Sequence, residues 1–261
     1  MKRLTNFLSA AYMIAAYGFI YLPVVVLILF SFQASRFPIP PFTGPSLRWY
    51  EAVLNDAKFT DAMWNSVALG VLSSAVSVLL GFLAAYGCAR MSGRGATAMR
   101  ALLIAPLSVS YLIIGMGLVV LFNAIGVPKS LFAVGIGHVV INLPLCFAII
   151  YSQMGDNIIR LEQAARDLGA REWQELSLVE APVLWPPLVA SFVLSLTLSW
   201  DEFLIAFLLT RFETTLPVEI WTLLRSGLNP KANAIGAIVF GVSILMVVVT
   251  ELAVFGRRKK T

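Results

Sequence analysis

Six long apolar runs restrict the fold of this chain more than any other feature of its sequence. We predict their bounds as residues 11–32, 62–88, 101–124, 131–154, 187–209 and 233–255. Each run is long enough for an α-helix to cross a bilayer core, which takes about 20 residues. An open chain crosses lipid only as helices, because the backbone must then form its own hydrogen bonds. The runs therefore predict an all-α integral membrane protein with six transmembrane helices.

Composition places the chain among membrane proteins rather than soluble or nucleic-acid-binding ones. Hydrophobic residues account for 59% of the chain and charged residues for 13%, and the mean hydropathy is +0.86. The formal net charge of +5 comes from basic residues near the ends of the apolar runs, where membrane topology explains them. The first run is longer than the core of a signal peptide, so we predict that it is retained as a span.

Lysine and arginine are distributed unequally between the two sides of the predicted membrane. Twelve of the 19 lie on one side and seven on the other. The positive-inside rule assigns the richer side to the cytoplasm, so both termini and the loop at residues 155–187 are predicted to be cytoplasmic. We further predict a first helix with its outer loop at 1–60, a transmembrane domain at 61–252 and a basic cytoplasmic tail at 253–261.

The loop at residues 155–187 predicts a helix, a turn and a second helix. Asp156 or Asn157 is expected to cap the first helix, and Gly169 is expected to end it in a left-handed conformation. The apolar residues of the first helix recur at helical spacing, and they are Ile158, Leu161, Ala165 and Leu168. A second helical run is expected to continue until Pro182, Pro186 and Pro187 forbid further regular turns, since proline cannot donate the backbone hydrogen bond that a helix needs.

The same loop carries a spaced motif. Gln163-Ala164-Ala165 is followed after three residues by Gly169, and after nine more by Val179-x-Ala181-Pro182. This spacing resembles the E-A-A, G and I-x-L-P motif in permease subunits of binding-protein-dependent ATP-binding-cassette (ABC) importers. Gln163, Val179 and Ala181 replace the usual Glu, Ile and Leu, and Glu162, one residue earlier, is a candidate substitute for the missing Glu. The alternative is an ordinary amphipathic loop between two spans.

The resemblance implies a type I ABC importer transmembrane fold in which this loop contains the cytoplasmic coupling helix. In this family the coupling helix docks into a groove of an ATPase subunit. Small alanines would let that partner approach closely, and a glycine turns the chain without a side-chain clash. The residues expected to couple the chain to the ATPase are Glu162, Gln163, Ala164, Ala165, Gly169 and Pro182.

The same resemblance implies partners and a location. The expected partners are a second permease subunit in a heterodimer, two cytoplasmic ATPase subunits and a periplasmic or extracellular solute-binding protein. ATP and Mg²⁺ would bind to the ATPase subunits, because this chain has neither a Gly-rich phosphate loop nor a catalytic motif. We therefore predict no cofactor, no metal site and no enzymatic activity in this chain, and a location in a bacterial plasma (inner) membrane.

Asp201 and Glu202 are carboxylates in the fifth apolar run. A carboxylate there costs about 3 kcal/mol on insertion scales, so it is expected to face a cavity or a partner. Two interpretations remain open: pairing with a polar residue of a neighbouring helix, or lining the path of a cationic solute with Trp200 adding a cation–π surface. His138, the only histidine in the chain, is predicted to be a hydrogen-bonded packing residue.

Small residues in the second run, Gly70, Ser74, Ser77 and Gly81, recur on one helical face and predict a close contact with another helix, with a pore lining as the functional alternative. Further stretches resemble permeases of the spermidine/putrescine type. They are Trp49-Tyr50-Glu51, Ser199-Trp200-Asp201-Glu202-Phe203 and Thr215-Leu216-Pro217-Val218-Glu219-Ile220-Trp221, and the resemblance covers most of the chain from about Leu47 onward.

This resemblance implies a solute delivered to the outer face, with a polyamine as the first candidate and an amino acid derivative, an opine-like compound or another small organic cation as the alternatives. A helix at residues 217–224 and the Trp49-Tyr50 pair are expected on that face, where an aromatic belt is the other interpretation of the pair. The alternative function is an ion-coupled secondary transporter of a small organic cation, which would use Asp201 and Glu202 as proton sites.

Overall fold

The computed structural model describes residues 2–35, 41–227 and 230–255. Within these residues there is no β-strand, only one isolated bridge between Gln33 and Pro45. The predicted all-α class is thus confirmed. The helices, in chain order, are α1 (Lys2–Ser31), α2 (Arg48–Leu54), α3 (Ala57–Arg90), α4 (Gly93–Ile104), α5 (Tyr111–Ile125), α6 (Leu131–Tyr151), α7 (Asp156–Asp167), α8 (Glu172–Gln174), α9 (Ala181–Val183), α10 (Trp185–Asp201), α11 (Leu204–Leu209), α12 (Leu216–Arg225) and α13 (Pro230–Phe255), with a 3-10 helix at Ala105–Ser108 and a π-helix at Glu175–Glu180.

Among the described residues, four helices are long and apolar enough to cross a membrane, judged by length and composition. They are Leu8–Ser31, Ala57–Arg90, Leu131–Tyr151 and Pro230–Val249. Two bent helix pairs raise the number to six if each pair is one span. The first pair, Gly93–Ser108 with Tyr111–Ile125, contains the predicted span 101–124, whereas the second, Glu172–Val183 with Trp185–Asp201, shares only residues 187–201 with the predicted span 187–209.

The third predicted span, residues 101–124, is not one continuous helix. Gly93–Ser108 and Tyr111–Ile125 meet at an angle of 104°. Pro106 lies in the 3-10 helix, where its missing N–H weakens the regular bonding pattern, and Ser110 is extended just before α5 begins. The prediction of an unbroken helix across residues 101–124 is therefore wrong.

The fifth predicted span, residues 187–209, is also interrupted. α10 ends at Asp201, and Glu202 has a ψ of 116°, which takes the backbone out of the helical conformation before α11 begins. The stretch contains neither glycine nor proline at this point, so its apolar pattern does not reveal the break.

The first compact unit comprises Met1–Thr60 and Glu219–Ile244, and the loop that follows α1 is attached to the end of that helix. Gln33 is fully buried, and its Oε1 accepts the N–H of Thr43 at 3.1 Å. Trp49 Nε1 donates to the carbonyl of Gln33 at 2.7 Å, and the hydroxyls of Tyr50 and Ser31 are 2.6 Å apart. The aromatic pair therefore holds the loop, a role that its sequence pattern did not indicate.

Two contacts hold the part of α13 that belongs to this unit, residues 230–244. A Cβ at Gly236 would lie 2.9 Å from Leu27 Cδ1, so glycine allows the close approach of α13 to α1. The Lys231 ammonium forms an ion pair with Asp56 and lowers the pKa of that carboxyl. The helix predicted at residues 217–224 is confirmed as α12, and Gly227 follows it with a φ of +118°.

The second compact unit comprises Asp61–Val218 and Leu245–Thr261 and contains two apolar clusters. One cluster joins α5, α6 and α11 through residues such as Phe122, Ile141 and Ile205. The other joins α3 and α6 to the loop that follows α6, and it contains Phe82, Ala85, Cys88, Phe147, Ile150, Ile158 and Leu184. The second cluster therefore holds that loop against two long helices.

The small residues of α3 confirm the predicted close helix contact. A Cβ at Gly70 would lie 3.0 Å from Leu196 Cδ1 of α10, and one at Gly81 would lie 2.9 Å from Cys146 Cβ of α6. Ser74 and Ser77 are fully buried on the same helix. Missing and small side chains thus let three helices of this unit approach one another closely.

Candidate functional site

The coupling segment, defined as residues 155–184, begins with the short helix α7. Gly155 occupies the N-cap position and Asp156 is the first helical residue, so the prediction that Asp156 or Asn157 caps the helix is wrong. The predicted end of the helix is confirmed. Gly169 has a φ of +84°, its N–H donates to the carbonyl of Arg166 at 2.8 Å, and the N–H of Ala170 donates to the carbonyl of Ala165 at 3.0 Å. This pair of bonds is the Schellman termination that a left-handed glycine favours.

The second half of the segment is helical, as predicted, but part of it is a π-helix. α8 starts after Arg171, whose N–H donates to Gln174 Oε1 at 2.8 Å. The π-helix at Glu175–Glu180 then leads into α9, which contains Pro182. Because proline has no N–H, regular α-helical bonding cannot continue through it, and the wider π turns occur directly before this position.

Two large apolar side chains of the segment are exposed, one before and one after the turn at Gly169. Leu168 is 90% exposed and Trp173 is 61% exposed, whereas Ile158 is buried. Gln163 and Ala164 are also exposed, and Ala165 is half-buried. The apolar residues that recur at helical spacing on α7 are therefore not all buried, because some of them remain exposed to solvent. Exposed large apolar side chains of this kind are typical of a docking surface.

Glu162 lies on the buried side of the segment, whereas Gln163 is exposed. Arg90 Nη2 of α3 lies 2.6 Å from Glu162 Oε2, and Arg166 Nη2 lies 2.6 Å from Glu162 Oε1. Arg90 also pairs with Glu180, which is fully buried. Glu162 is thus occupied by internal ion pairs, and Gln163 is the residue on the surface that a partner could reach.

A further ion pair closes the segment on itself. Arg166 Nε lies 3.0 Å from Glu175 Oε1, and this carboxylate raises the pKa of the guanidinium. Glu175 is buried, so its charge requires this partner. The first and second halves of the segment are therefore joined by a charged contact as well as by the turn at Gly169.

The three residues predicted for a solute path have different environments. Trp200 is buried, Asp201 is exposed and Glu202 is buried. Glu202 caps α11, because its carboxylate accepts the N–H groups of Leu204 at 3.0 Å and Ile205 at 2.8 Å. A carboxylate at a helix N-terminus satisfies backbone donors that would otherwise lack partners, which accounts for its burial.

A polar ladder, defined as three hydrogen-bonded contacts from side chains of α6 to a hydroxyl and two backbone carbonyls of α10, lies next to the helix break at Glu202. Sequence reasoning predicted His138 as a hydrogen-bonded packing residue, which is confirmed, but it missed the other members. The repeat of serine every four residues on α10 is the signal that could have revealed them. The pairs are His138 Nδ1 with Ser199 Oγ, Asn142 Nδ2 donating to the Ser195 carbonyl at 3.5 Å, and Cys146 Sγ donating to the Ser191 carbonyl at 3.8 Å.

α3 joins the ladder through Ser73, whose hydroxyl lies 3.1 Å from Ser199 Oγ. His138 Nε2 lies 3.8 Å from Glu202 Oε2, so the ladder ends beside the carboxylate that caps α11. All of these groups are buried within the second unit. Such buried polar contacts join helices in an apolar environment.

Comparison with proteins of known sequence gives related permeases. The Escherichia coli (strain K12) spermidine/putrescine transport system permease protein PotC is 30% identical over 247 residues, covering 94% of this chain and 93% of that protein. The putrescine transport system permease protein PotI of the same organism is 28% identical over 237 residues, covering 88% of this chain and 84% of that protein.

Comparison with solved structures shows the same fold in ABC importers. A bacterial alginate ABC transporter in complex with an alginate-bound periplasmic protein contains a chain with a TM-score of 0.74 and 17% identity, over 96% of this chain and 94% of that one. This likeness establishes the type I ABC importer transmembrane fold. The model of one sequence family, described as the inner membrane component of binding-protein-dependent transport systems, matches residues 77–259. The chain belongs to this family of binding-protein-dependent transport system inner membrane components.

Proposed function

We propose that this chain is a permease subunit of an ATP-driven importer whose solute is a polyamine, putrescine or spermidine. The observation that carries the proposal is the 30% identity to a spermidine/putrescine permease over nearly the full length of both chains. The similarity therefore covers nearly the whole chain and not only the loop at residues 155–187.

In this proposal the coupling segment docks on a cytoplasmic ATPase subunit. The exposed side chains of Gln163, Leu168 and Trp173 support the proposal, because they form a polar and apolar surface that this chain leaves uncovered. A second permease subunit would complete the translocation path, and a solute-binding protein would deliver the polyamine from the other side of the membrane. ATP and Mg²⁺ would bind to two ATPase subunits, and both termini of this chain would be cytoplasmic.

Asp201 is our candidate for a solute contact. Of the three residues predicted for the path it is the exposed one, and it lies where α10 ends. A carboxylate at such a place would attract the ammonium groups of a polyamine. Trp200 and Glu202 would then stabilise the path without facing it, since both side chains are buried.

The test is solute uptake by the reconstituted importer. The complex is isolated by a tag on this chain, inserted into proteoliposomes with ATP inside, and supplied with its binding protein and radiolabelled putrescine or spermidine outside. We expect uptake that requires ATP and the binding protein and that persists with an uncoupler. Uptake that persists without ATP and collapses with an uncoupler would instead establish the ion-coupled transporter.

Variants at two glycines give a matched comparison for docking. Gly169→Arg is expected to abolish uptake, because it places a long side chain in a left-handed turn beside the exposed surface. Gly95→Arg is the control, since a side chain there enters open space in ordinary helical backbone. Normal uptake by Gly169→Arg would contradict the docking proposal, and ATP-driven uptake of another solute with no polyamine uptake would contradict the polyamine assignment alone.

A further inference from the structure

The coupling segment follows α6 and precedes α10, so the backbone itself joins it to these two helices. α3 has no such covalent connection, yet its last residue reaches into the segment. Arg90 donates through Nε to Glu162 at 3.1 Å and forms an ion pair with Glu180. These two carboxylates belong to different parts of the segment, α7 and the π-helix. One guanidinium therefore joins the end of α3 to both halves of the segment.

We infer that Arg90 is a positioning residue that makes α3 move together with the coupling segment, so that a displacement of α7 by a docked partner reaches α3. The inference rests on the proposed function, because it assumes that a partner moves α7. From its attachment at Arg90, α3 runs back to the close contacts of Gly81 with α6 and Gly70 with α10. A movement of α3 would consequently be passed to the helices that carry the polar ladder.

The surroundings of Arg90 fix its guanidinium in one place. Its Cζ lies 3.3 Å from the centre of the Tyr86 ring, and its Nη1 donates to the Tyr86 carbonyl at 2.8 Å. The other guanidinium nitrogens are directed at the two glutamates. A lysine ammonium is a single point of charge and cannot keep this planar arrangement with both carboxylates. Arg90 therefore holds both carboxylates in a geometry that lysine cannot reproduce, and its role goes beyond neutralising their charge.

The second arginine of the cluster provides an internal comparison. Arg166 contacts Glu162 and Glu175, and all three residues belong to the coupling segment. Loss of Arg166 would therefore loosen the segment itself, whereas loss of Arg90 would separate an otherwise intact segment from α3. Removing Arg90 leaves Glu180 buried without its cation, and this charge favours movement of the segment towards water.

The first experiment measures the distance between α3 and α7 in the complete importer. Spin labels are attached at Gly87→Cys on α3 and Arg160→Cys on α7, because both positions are exposed and lie outside the proposed docking residues, whereas the native Cys88 and Cys146 are buried. We expect a narrow distance distribution that Arg90→Met broadens or shifts and that Arg90→Lys alters to a smaller degree. Arg94→Met, which removes an exposed arginine from α4, is the control and should leave the distribution unchanged.

Coupling is measured with unlabelled chains in proteoliposomes. We expect Arg90→Met to lower the solute taken up per ATP hydrolysed by about five-fold, while ATP hydrolysis stays within about two-fold of the wild type. A purely structural role would lower both quantities together with the amount of complex. The same narrow distribution and the same uptake per ATP in Arg90→Met would overturn the inference.

Two remaining outcomes are also decisive. If Arg90→Met fails to assemble, Arg90→Lys replaces it, and a lysine variant identical to the wild type in both measurements overturns the inference. If the wild-type complex takes up no solute, the proposed function fails, and the spin-label distances still decide whether Arg90 holds the segment to α3.

Discussion

Replacing Gly169 tests the turn that orients the coupling segment. Its φ is +84°, and a Cβ built there meets no atom within 4 Å. Steric crowding therefore adds nothing to the free-energy cost of Gly169→Ala. The whole cost comes from holding alanine in the left-handed backbone conformation. Holding an L residue in the left-handed region costs about 1–2 kcal/mol, and asparagine visits that region more readily. We expect the turn to be most stable with glycine, less stable with asparagine and least stable with alanine.

The effect should appear as faster local opening of the turn. The N–H groups of Gly169 and Ala170 are both hydrogen-bonded, at 2.8 and 3.0 Å, so they exchange slowly while the turn is closed. A cost of 1–2 kcal/mol raises the opening equilibrium by about 5- to 30-fold. Hydrogen-exchange mass spectrometry of peptides covering residues 165–170 measures this directly in the purified complex.

A second glycine supplies the control with the opposite sign. Gly87 lies within α3, a Cβ there also enters open space, and its φ is not left-handed. Gly87→Ala should therefore stabilise its helix by about 0.5–1 kcal/mol. If Gly169→Ala exchanged no faster than the wild type, or if Gly169→Asn exchanged faster than Gly169→Ala, the reasoning from backbone conformation would be refuted.

Three further predictions concern other parts of the chain. Gly81→Val should lower the melting temperature of the complex, because its Cβ would lie 2.9 Å from α6, and overpacking costs about 1–3 kcal/mol. Gly117→Val, where a Cβ meets nothing within 4 Å, is the control, and equal melting temperatures would contradict the packing argument. The Asp56–Lys231 ion pair lowers the pKa of Asp56 below 3.8, so its contribution is present above that pH and is lost as the pH falls through the lowered value. Since the pair is partly exposed, Asp56→Asn should cost at most about 1 kcal/mol at pH 7, and the difference in thermal stability from the wild type should vanish in acid. Asp201→Asn should raise the KM for polyamine uptake by about ten-fold while complex yield is unchanged, and an unaltered KM would remove Asp201 from the path.

Features of the fold that depend on local sequence could be predicted. The end of α7 followed from a glycine after a helical pattern, and α12 followed from Pro217 and Gly227, because chain conformation at these points is decided by a few adjacent residues. The long apolar helices followed from hydrophobic length alone. The bend after α4 did not follow from hydropathy, since residues 101–124 are apolar on both sides of it, although Pro106 is a local signal that could have indicated it.

Contacts between distant residues could not be predicted. Arg90 contacts partners 72 and 90 positions away, and no local pattern marks a residue for such a contact. Glu202 could be recognised as unusual in an apolar run, but its role as a cap depends on a helix break that hydropathy does not show. Similarly, the motif places Glu162 and Gln163 side by side, and only the packing of α7 determines which of them is buried.

The polar ladder has a consequence for how the helices find their alignment during membrane assembly. Its members recur every four residues, about one helical turn, so a slip of one turn that brings Ser199 opposite Asn142 and Ser195 opposite Cys146 would form polar contacts of the same kind. Hydrogen bonding alone therefore leaves the alignment ambiguous. A slip in this direction is opposed at Gly137, whose missing side chain makes room for Ile205 of α11, because one turn further along α6 the corresponding position is filled by Ile141. A side chain that is absent therefore favours the native alignment of these helices.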